Sequence, residues 1–251
     1  MLTDSHCHLA DPTFAGHLPE TLAAARAVGV GRFIVPAVTP ADFDAVCRLH
    51  RPPRFYGAIG LHPWHAADWD ADTACALAAR LQAEPRLLVG ETGLDYGKDR
   101  QQTRAAQLDA LHAQLDLARQ YRRPVILHHV RAAADTVAAI RHTGFDCGGL
   151  AHAFSGSPEE ARALHGCGLL IGIGTLVLNS RARKARTAAA LLPPDWLALE
   201  TDSPFMPPPG AAHNTPATLR QVLETVAALR GTSPQETAAA TERNINRLLN
   251  F

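Results

Sequence analysis

Eight short, continuously apolar runs are distributed along the 251-residue chain, separated by stretches rich in Ala, Leu, Arg and Gln. Continuous apolarity, rather than alternation of apolar and polar residues, is typical of strands buried on both faces of a parallel sheet. Eight such strands alternating with helices favour an α/β fold closed into a (β/α)8 TIM-type barrel; an open doubly wound sheet is the alternative. The runs are Leu2–His8, Arg32–Val38, Arg54–Leu61, Leu87–Glu91, Pro124–His129, Gly148–Phe154, Leu169–Ile173 and Trp196–Asp202.

The segments between the runs carry helix signals. Thr103–Tyr121 has leucines at roughly helical spacing, which predicts a helix after the fourth run. Ser157 and Ser233 each precede a Pro directly and a Glu by three residues, a pattern that indicates a helix start with a capping box. The loop Pro207–Gly210 follows the last run directly, so it is not a domain linker. We therefore expect a single barrel domain over residues 1–251.

Side chains that can bind a metal stand at the ends of five of the eight runs. In a barrel of this kind, residues at the carboxyl ends of the strands converge on one mouth. A single strand-end His is more often a structural residue, but the common placement of all these side chains predicts a metal centre. Imidazoles and carboxylates suit Zn²⁺ or Mn²⁺, and Mg²⁺ is compatible. The candidate ligands are His6, His8, Glu91, His128, His152 and Asp202.

Glu91 has a special place among these candidates. It leaves the fourth run at a Gly-Glu-Thr-Gly turn, and a carboxylate there can bind two cations, one through each oxygen. Two divalent ions held this way can polarise a scissile bond and acidify a bridging water. The sequence thus predicts a hydrolase with one or two divalent metal ions.

Charge and cysteine content limit the class of protein. Lys and Arg total 24, as do Asp and Glu, so no whole-molecule positive field attracts a polyanion, which must be held locally. The five scattered cysteines include no C-x-x-C pair and indicate reduced thiols. The N-terminus lacks a basic segment followed by an apolar stretch, and no run is long enough to span a membrane. We expect a cytoplasmic protein without a membrane partner, and a monomer.

An ordered set of motifs over essentially the whole chain resembles the TatD family of metal-dependent hydrolases in the amidohydrolase superfamily. The motifs are Asp4-Ser5-His6-Cys7-His8-Leu9, Gly60-Leu61-His62-Pro63, Gly90–Tyr96, Pro124–His128, His152-Ala153-Phe154-Ser155-Gly156, Glu200-Thr201-Asp202-Ser203-Pro204-Phe205, Asn214-Thr215-Pro216 and Glu242-Arg243-Asn244.

The resemblance implies a deoxyribonuclease that hydrolyses phosphodiester bonds, typically as a 3′–5′ exonuclease on single-stranded DNA or 3′ ends. It implies one metal position with His6, His8, Glu91 and Asp202, and a second with Glu91, His128 and His152. It also implies that Asp202 is the general base and that Glu91 joins the two positions.

Three residues are candidates for contact with the substrate. His62 and His65 follow the third run and would reach the same mouth, where they would contact a phosphate or support a ligand. Arg131 is the candidate phosphate clamp, although it stands one position later than the family pattern. His129 follows the assigned ligand His128 and is expected to point to the other face of the strand.

Two other functions remain open at this stage. An activated hydroxide attacks carbonyl and phosphoryl centres alike, so a small-molecule esterase, lactonase or amidohydrolase is the alternative. A carboxylated Lys, the bridge in many related hydrolases, is disfavoured because Lys98 and Lys184 do not end a run. A non-catalytic metal-binding protein is a third alternative.

The basic cluster Arg181–Arg186 is either a solvated helix face or a surface for backbone phosphates.

Overall fold

A parallel eight-stranded sheet in sequential order, β1 to β8, forms the centre of the computed structural model, which describes residues 1–98, 100 and 103–250. The backbone N–H of Ser5 donates to the carbonyl of Leu199 at 3.0 Å, which brings the ends of β1 and β8 together. The prediction of a (β/α)8 barrel is thereby confirmed. The strands are β1 (Leu2–Asp4), β2 (Val30–Pro36), β3 (Phe55–Ile59), β4 (Leu88–Asp95), β5 (Val125–Val130), β6 (Gly149–Ala151), β7 (Leu169–Ile173) and β8 (Leu197–Leu199).

An α-helix follows each strand, and one more helix ends the described chain. The predicted helix after the fourth run is present, with Thr103 and Tyr121 as its caps. Both predicted capping boxes form, at Ser157 and Ser233. The helices are α1 (Leu18–Ala27), α2 (Phe43–Leu49), α3 (Ala71–Ala83), α4 (Arg104–Gln120), α5 (Ala133–Thr143), α6 (Pro158–His165), α7 (Arg183–Leu191), α8 (Leu219–Arg230) and α9 (Pro234–Leu248). None of these helices combines the length and apolarity needed to cross a bilayer.

The strands divide their side chains between two apolar clusters. In β2, Phe33 and Val35 belong to the larger cluster, while Ile34 lies in the smaller one with residues of β3 to β8. This division follows from the alternation of side chains along a strand. Ile245 and Leu249, in and just after α9, join the smaller cluster, so α9 covers one end of it.

The expectation that each candidate ligand ends its strand is wrong for two residues. Glu91 and His128 lie inside β4 and β5, not at their ends. The backbone ladder between these strands continues to the pair Asp95–Val130, well past the polar residues. Hydropathy locates the buried part of a strand, whereas backbone hydrogen bonds set its length, and here the two differ. In contrast, β1 and β8 end before His6 and Asp202.

A buried polar contact fixes α9 to the first two strands. The guanidinium of Arg32 lies 2.7 Å from Glu242 of α9 and donates to Thr3 Oγ1 at 2.7 Å and to Asn246 at 2.8 Å. Glu242 also accepts hydrogen bonds from the backbone and hydroxyl of Thr3. Both the Arg32 and Glu242 side chains are largely buried, so this contact holds the last helix against the start of the chain.

Candidate metal centre

Four ligand atoms from three parts of the chain meet at the barrel mouth. Nε2 of His6 lies 3.1 Å from Nε2 of His8, 3.3 Å from Glu91 Oε2 and 3.4 Å from Asp202 Oδ1. Nε2 of His8 lies 3.5 Å from Glu91 Oε2 and 3.3 Å from Asp202 Oδ1. Both imidazoles thus lie within 3.5 Å of each carboxylate, the spacing of neighbouring nitrogen and oxygen ligands that are about 2.0–2.1 Å from one Zn²⁺ ion. We call these four residues the first cluster.

The other oxygen of Glu91 faces a second group of imidazoles. Glu91 Oε1 lies 2.8 Å from His152 Nε2, 2.9 Å from His128 Nδ1 and 3.3 Å from His62 Nε2. His128 Nδ1 is also 3.1 Å from His152 Nε2 and 3.2 Å from His62 Nε2. We call Glu91, His62, His128 and His152 the second cluster. All six predicted metal ligands thus lie in one of the two clusters, with Glu91 in both.

His62 is the residue whose place the sequence analysis did not anticipate. It was expected to contact the substrate or to support a ligand, but its Nε2 points at the same carboxylate oxygen as His128 and His152. The cause is local. His62 caps the 3-10 turn Pro63–Asp68, and its Nδ1 accepts a hydrogen bond from the backbone of Trp64 at 3.2 Å, which turns Nε2 inward.

The carboxylate of Asp95 contacts a histidine of the second cluster on the side remote from Glu91. Asp95 Oδ2 lies 3.2 Å from His128 Nε2, the ring nitrogen remote from Glu91, and accepts from the indole N–H of Trp64 at 2.6 Å. Its other oxygen accepts from the backbone of Gly97 at 2.8 Å. A carboxylate in this position fixes the orientation and tautomer of an imidazole and makes its free nitrogen a better ligand.

Glu200 is a second buried carboxylate near the clusters, and it was not among the predicted ligands. Its Oε1 accepts from the backbone of Ala153 at 2.5 Å and lies 3.9 Å from His152 Nδ1. Oε2 has no hydrogen-bond partner among the described residues, and neither has His152 Nδ1. Burial raises the pKa of Glu200 well above its ordinary value. Its position two residues before Asp202, in the same run of the sequence, was the available signal.

A buried network joins the ends of β1 and β8 and so positions the first cluster. Asp4 accepts hydrogen bonds from the hydroxyl of Thr201 at 2.6 Å and from its backbone at 2.9 Å. The backbone of Asp202 donates to the carbonyl of His6 at 2.9 Å. Asp202 itself has a φ of +57°, a left-handed conformation that costs energy for a residue with a side chain. This fixed backbone directs its carboxylate toward His6 and His8.

Electrostatics keep the carboxylates of Glu91 and Asp202 ionised. Burial raises the pKa of Glu91, but the charges of His152 and His62 outweigh it and hold the pKa well below its ordinary value. Burial likewise raises the pKa of Asp202, but the hydrogen bond from His8 and the neighbouring histidines together outweigh it and hold the pKa below its ordinary value. Burial lowers the pKa of His6 to about 4. Ionised carboxylates beside a neutral imidazole form a donor set that fits a divalent cation.

The remaining candidates lie farther out. His65 is 40 % exposed in its side chain, and its Nδ1 is 3.8 Å from Asp68. Arg131 is exposed and lines a mouth cavity of about 530 Å³ with Tyr96, Arg104 and Asp135. The roles of His65 and Arg131 in substrate binding stay predictions. His129 points away from the clusters, with its ring 5.7 Å from that of Phe154.

Comparisons with known proteins agree with this architecture. The family model described as "TatD related DNase" matches residues 3–250. A relative from Escherichia coli K12, named an uncharacterized metal-dependent hydrolase YjjV, is 35 % identical over 98 % of this chain and 97 % of its own length. A relative from Citrobacter rodentium, named a 3′-5′ ssDNA/RNA exonuclease TatD, is 31 % identical over 98 % of this chain and 96 % of its own length.

A solved structure extends the match to three dimensions. The crystal structure of the TatD homologue YjjV from E. coli K12 superposes with a TM-score of 0.94 at 34 % identity, covering 100 % of this chain and 98 % of the other. The chain thus has relatives that match it over nearly its whole length in both sequence and structure. The chain belongs to the TatD-related DNase family of metal-dependent hydrolases.

Proposed function

We propose that this protein removes nucleotides from the 3′ end of single-stranded nucleic acid by hydrolysing phosphodiester bonds at a two-ion site. One observation carries the proposal: the two oxygens of Glu91 face two separate groups of imidazoles. Oε2 lies 3.3 Å from His6, and Oε1 lies 2.8 Å from His152. A carboxylate shared in this way is the arrangement expected for a bridge between two cations.

The two clusters supply the ligands. We assign the first ion to His6, His8, Glu91 Oε2 and Asp202, and the second to Glu91 Oε1, His128 and His152. The distance of 3.3 Å between His62 Nε2 and Glu91 Oε1 supports His62 as a further donor to the second ion. Zn²⁺, Mn²⁺ and Mg²⁺ are the candidate metals, and the imidazole-rich set favours the first two. When bound, such ions neutralise charge on a phosphoryl group and lower the pKa of water.

Asp202 is the proposed general base. Its pKa lies below the ordinary value, so the carboxylate is ionised at neutral pH, the form in which a base acts. Its side chain keeps 15 % exposure, whereas that of His6 has none, so Asp202 faces the open mouth. It would orient the attacking water and take its proton. His65 and Arg131, both more exposed, would contact the phosphates that flank the scissile bond.

Exposed aromatic rings at the mouth support a nucleic-acid substrate. Trp64 is 52 % exposed although its indole N–H is fixed by Asp95. Phe205, 48 % exposed, stands edge-on to the His8 ring at a centroid distance of 5.2 Å. An exposed ring held beside a reactive centre suits stacking on an unpaired base. The names of several relatives as 3′-5′ ssDNA/RNA exonucleases agree with this substrate class.

End-labelled oligonucleotides test the proposal. Single-stranded DNA and RNA, labelled at the 3′ or the 5′ end, are incubated with metal-stripped protein to which Zn²⁺, Mn²⁺ or Mg²⁺ is restored. We expect metal-dependent release of the 3′ label as a mononucleotide and stepwise shortening of the 5′-labelled strand. A phosphorothioate at the last linkage should block both. Absence of cleavage, together with turnover of a small carboxyl ester or lactone, would instead identify a small-molecule hydrolase.

A further inference from the structure

Three exposed cations lie close together in the segment that follows the turn after β7. Arg181, Arg183 and Lys184 are exposed, and none forms an ion pair with another described residue. Arg186, in the same helix, differs: it is half-buried, and its guanidinium donates to the carbonyl of Val177 at 2.5 Å. The side chain of Arg186 is therefore engaged in a hydrogen bond within the protein. We call Arg181, Arg183 and Lys184 the rim cations.

The presence of the rim cations is not explained by a contribution to the stability of α7. This helix, Arg183–Leu191, contains no acidic residue. Positive side chains in a first helical turn are disfavoured by the helix dipole. In contrast, α6 and α9 carry Glu in that turn and use it in a capping box. Because the whole chain balances 24 positive against 24 negative residues, three adjacent unmatched cations form a local positive surface.

The backbone holds the segment in a defined place. The backbone N–H of Arg181 donates to Asn179 Oδ1 at 2.9 Å, and Ala182 N–H donates to the Asn179 carbonyl at 3.0 Å. Asn179 in turn donates to the carbonyl of Leu176. The rim cations are therefore attached to the ordered turn Thr175–Leu178 that leaves β7 at the barrel mouth.

That turn connects the rim cations to the metal centre. The hydroxyl of Thr175 donates to the carbonyl of Met206 at 2.7 Å, which joins the loop after β7 to the loop after β8. Met206 follows Phe205, whose exposed ring contacts His8 of the first cluster. One continuous edge of the mouth thus runs from the first cluster, past an exposed aromatic ring, to the rim cations.

We propose that the rim cations bind backbone phosphates of a single-stranded nucleic acid several nucleotides away from the bond being cleaved. This inference rests on the proposed function and adds to it a surface for the strand that remains after each cleavage. Lys and Arg bind phosphates of any sequence and release counterions, so binding weakens as salt rises. A short dinucleotide would not reach this surface, whereas a strand of about fifteen nucleotides would occupy it, within the range of single-strand site sizes.

Two triple variants test the inference in the metal-loaded enzyme. The first is Arg181→Ala/Arg183→Ala/Lys184→Ala. The matched control, Arg26→Ala/Arg48→Ala/Arg141→Ala, removes three exposed cations near the carboxyl ends of α1, α2 and α5, the opposite end of the barrel. The kcat/KM is measured for a fifteen-nucleotide strand and for a dinucleotide at several salt concentrations. Affinity for the long strand is measured by anisotropy with a 3′-phosphorothioate form that resists cleavage.

We expect the rim variant to bind the long strand about tenfold more weakly and to lose about two units of the log–log salt slope, since each single-strand phosphate contact contributes about 0.7. Its kcat/KM for the dinucleotide and its melting temperature should match those of the parent. The control should match the parent in long-strand affinity, in salt slope and in kcat/KM for both substrates.

Two results would overturn the inference while leaving the proposed function intact. One is a rim variant with unchanged long-strand affinity and salt slope. The other is an equal loss on the dinucleotide and the long strand, which would place the effect at the metal centre. If the parent enzyme cleaves neither substrate, the proposed function fails and the inference fails with it.

Discussion

Asp95 Oδ2 lies 3.2 Å from Nε2 of His128, whose other ring nitrogen, Nδ1, lies 2.9 Å from Glu91 Oε1. The imidazole is therefore held between two carboxylates. Burial lowers the pKa of His128, but the hydrogen bonds to Asp95 and Glu91 more than compensate and raise the pKa to about 9. The indole of Trp64 fixes the same Asp95 oxygen at 2.6 Å. The exposed side chain of Trp64 and the candidate ligand His128 are thus both held by the carboxylate of Asp95.

Asp95→Asn should weaken metal binding without removing a ligand. We expect the affinity of the second cluster to fall about 10–100-fold, because an amide orients and polarises His128 less well than a carboxylate. A competitive chelator titration measures this loss. Asp68→Asn, the same change at a carboxylate that is 75 % exposed beside His65, is the control and should retain full affinity. Equal affinities for the two variants would refute the support role of Asp95.

Glu91→Gln should abolish hydrolysis while the barrel stays folded. The two ions supply several kcal/mol of transition-state stabilisation, so losing their shared ligand should reduce kcat by about a thousandfold or more. Elemental analysis should find less metal per protein than in the parent, and circular dichroism should show an unchanged spectrum. A well-folded variant with activity within tenfold of the parent would contradict the bridging role.

Removal of metal should lower the melting temperature. A ligand present at about 100 times its Kd stabilises the folded state by about 2.7 kcal/mol, which for a domain of this size corresponds to about 5–10 °C. Calorimetry with and without a chelator measures the change, and restoring Zn²⁺ or Mn²⁺ should reverse it. Glu91→Gln should respond less to the chelator than the parent does. A parent protein whose melting is indifferent to the chelator would contradict tight binding at these clusters.

Glu242→Ala should destabilise the fold strongly. It leaves the buried guanidinium of Arg32 without its ionic partner, a change that costs about 3–5 kcal/mol. Denaturant unfolding at neutral pH measures the loss. Glu224→Ala breaks a 2.6 Å pair with Arg220 in which both side chains are about half exposed, so it should cost less than about 1 kcal/mol. Similar losses for the two variants would show that α9 contributes little through this contact.

The hydrogen bonds that Asp135 accepts from Tyr96 and Arg104 should stabilise the folded state by a small amount that depends on pH. Asp135 accepts from the hydroxyl of Tyr96 at 2.7 Å and from Arg104 at 2.6 Å, and these bonds hold its pKa below the ordinary value. The stabilisation is therefore present at neutral pH and is lost as the pH falls through the depressed pKa. We expect Asp135→Asn to lower the melting temperature at pH 7 by about 1–3 °C, because the pair is partly exposed.

Melting curves of both proteins at pH 7, 5, 4 and 3.5 follow this difference, which should narrow toward the acid end. A difference that stays constant over this range would mean that the charge of Asp135 contributes nothing.

Much of the barrel was predictable because strands that are buried on both faces appear in the sequence as continuous apolar runs. Leu169–Ile173 is both an apolar run and a strand with the same bounds. The runs failed as measures of strand length at β4, where pairing with β5 carries the strand four residues past Glu91. Hydropathy contains no information on where a backbone ladder ends. The positions of the strands were therefore more predictable than their limits.

Within the site, the two-residue spacing of His6 and His8 was enough to predict that they lie together. Their Nε2 atoms are 3.1 Å apart, although β1 ends at Asp4 and both residues follow the strand. The orientation of the His62 ring depends instead on a turn, since a hydrogen bond from the backbone of Trp64 rotates the ring toward Glu91. A bond of this kind arises from loop geometry, which residue types and spacing do not specify.

The attachment of Glu242 to Thr3 has a consequence for how the chain is made. These residues are 239 positions apart, and Ser5 finds its backbone partner at Leu199, 194 positions later. On the ribosome, β1 emerges before the other seven strands of the barrel, and its second neighbour, β8, emerges after all of them. Contacts of such long sequence separation form slowly and leave strand edges open meanwhile. The nascent barrel must therefore keep the open edge of β1 from mispairing until β8 has been synthesised.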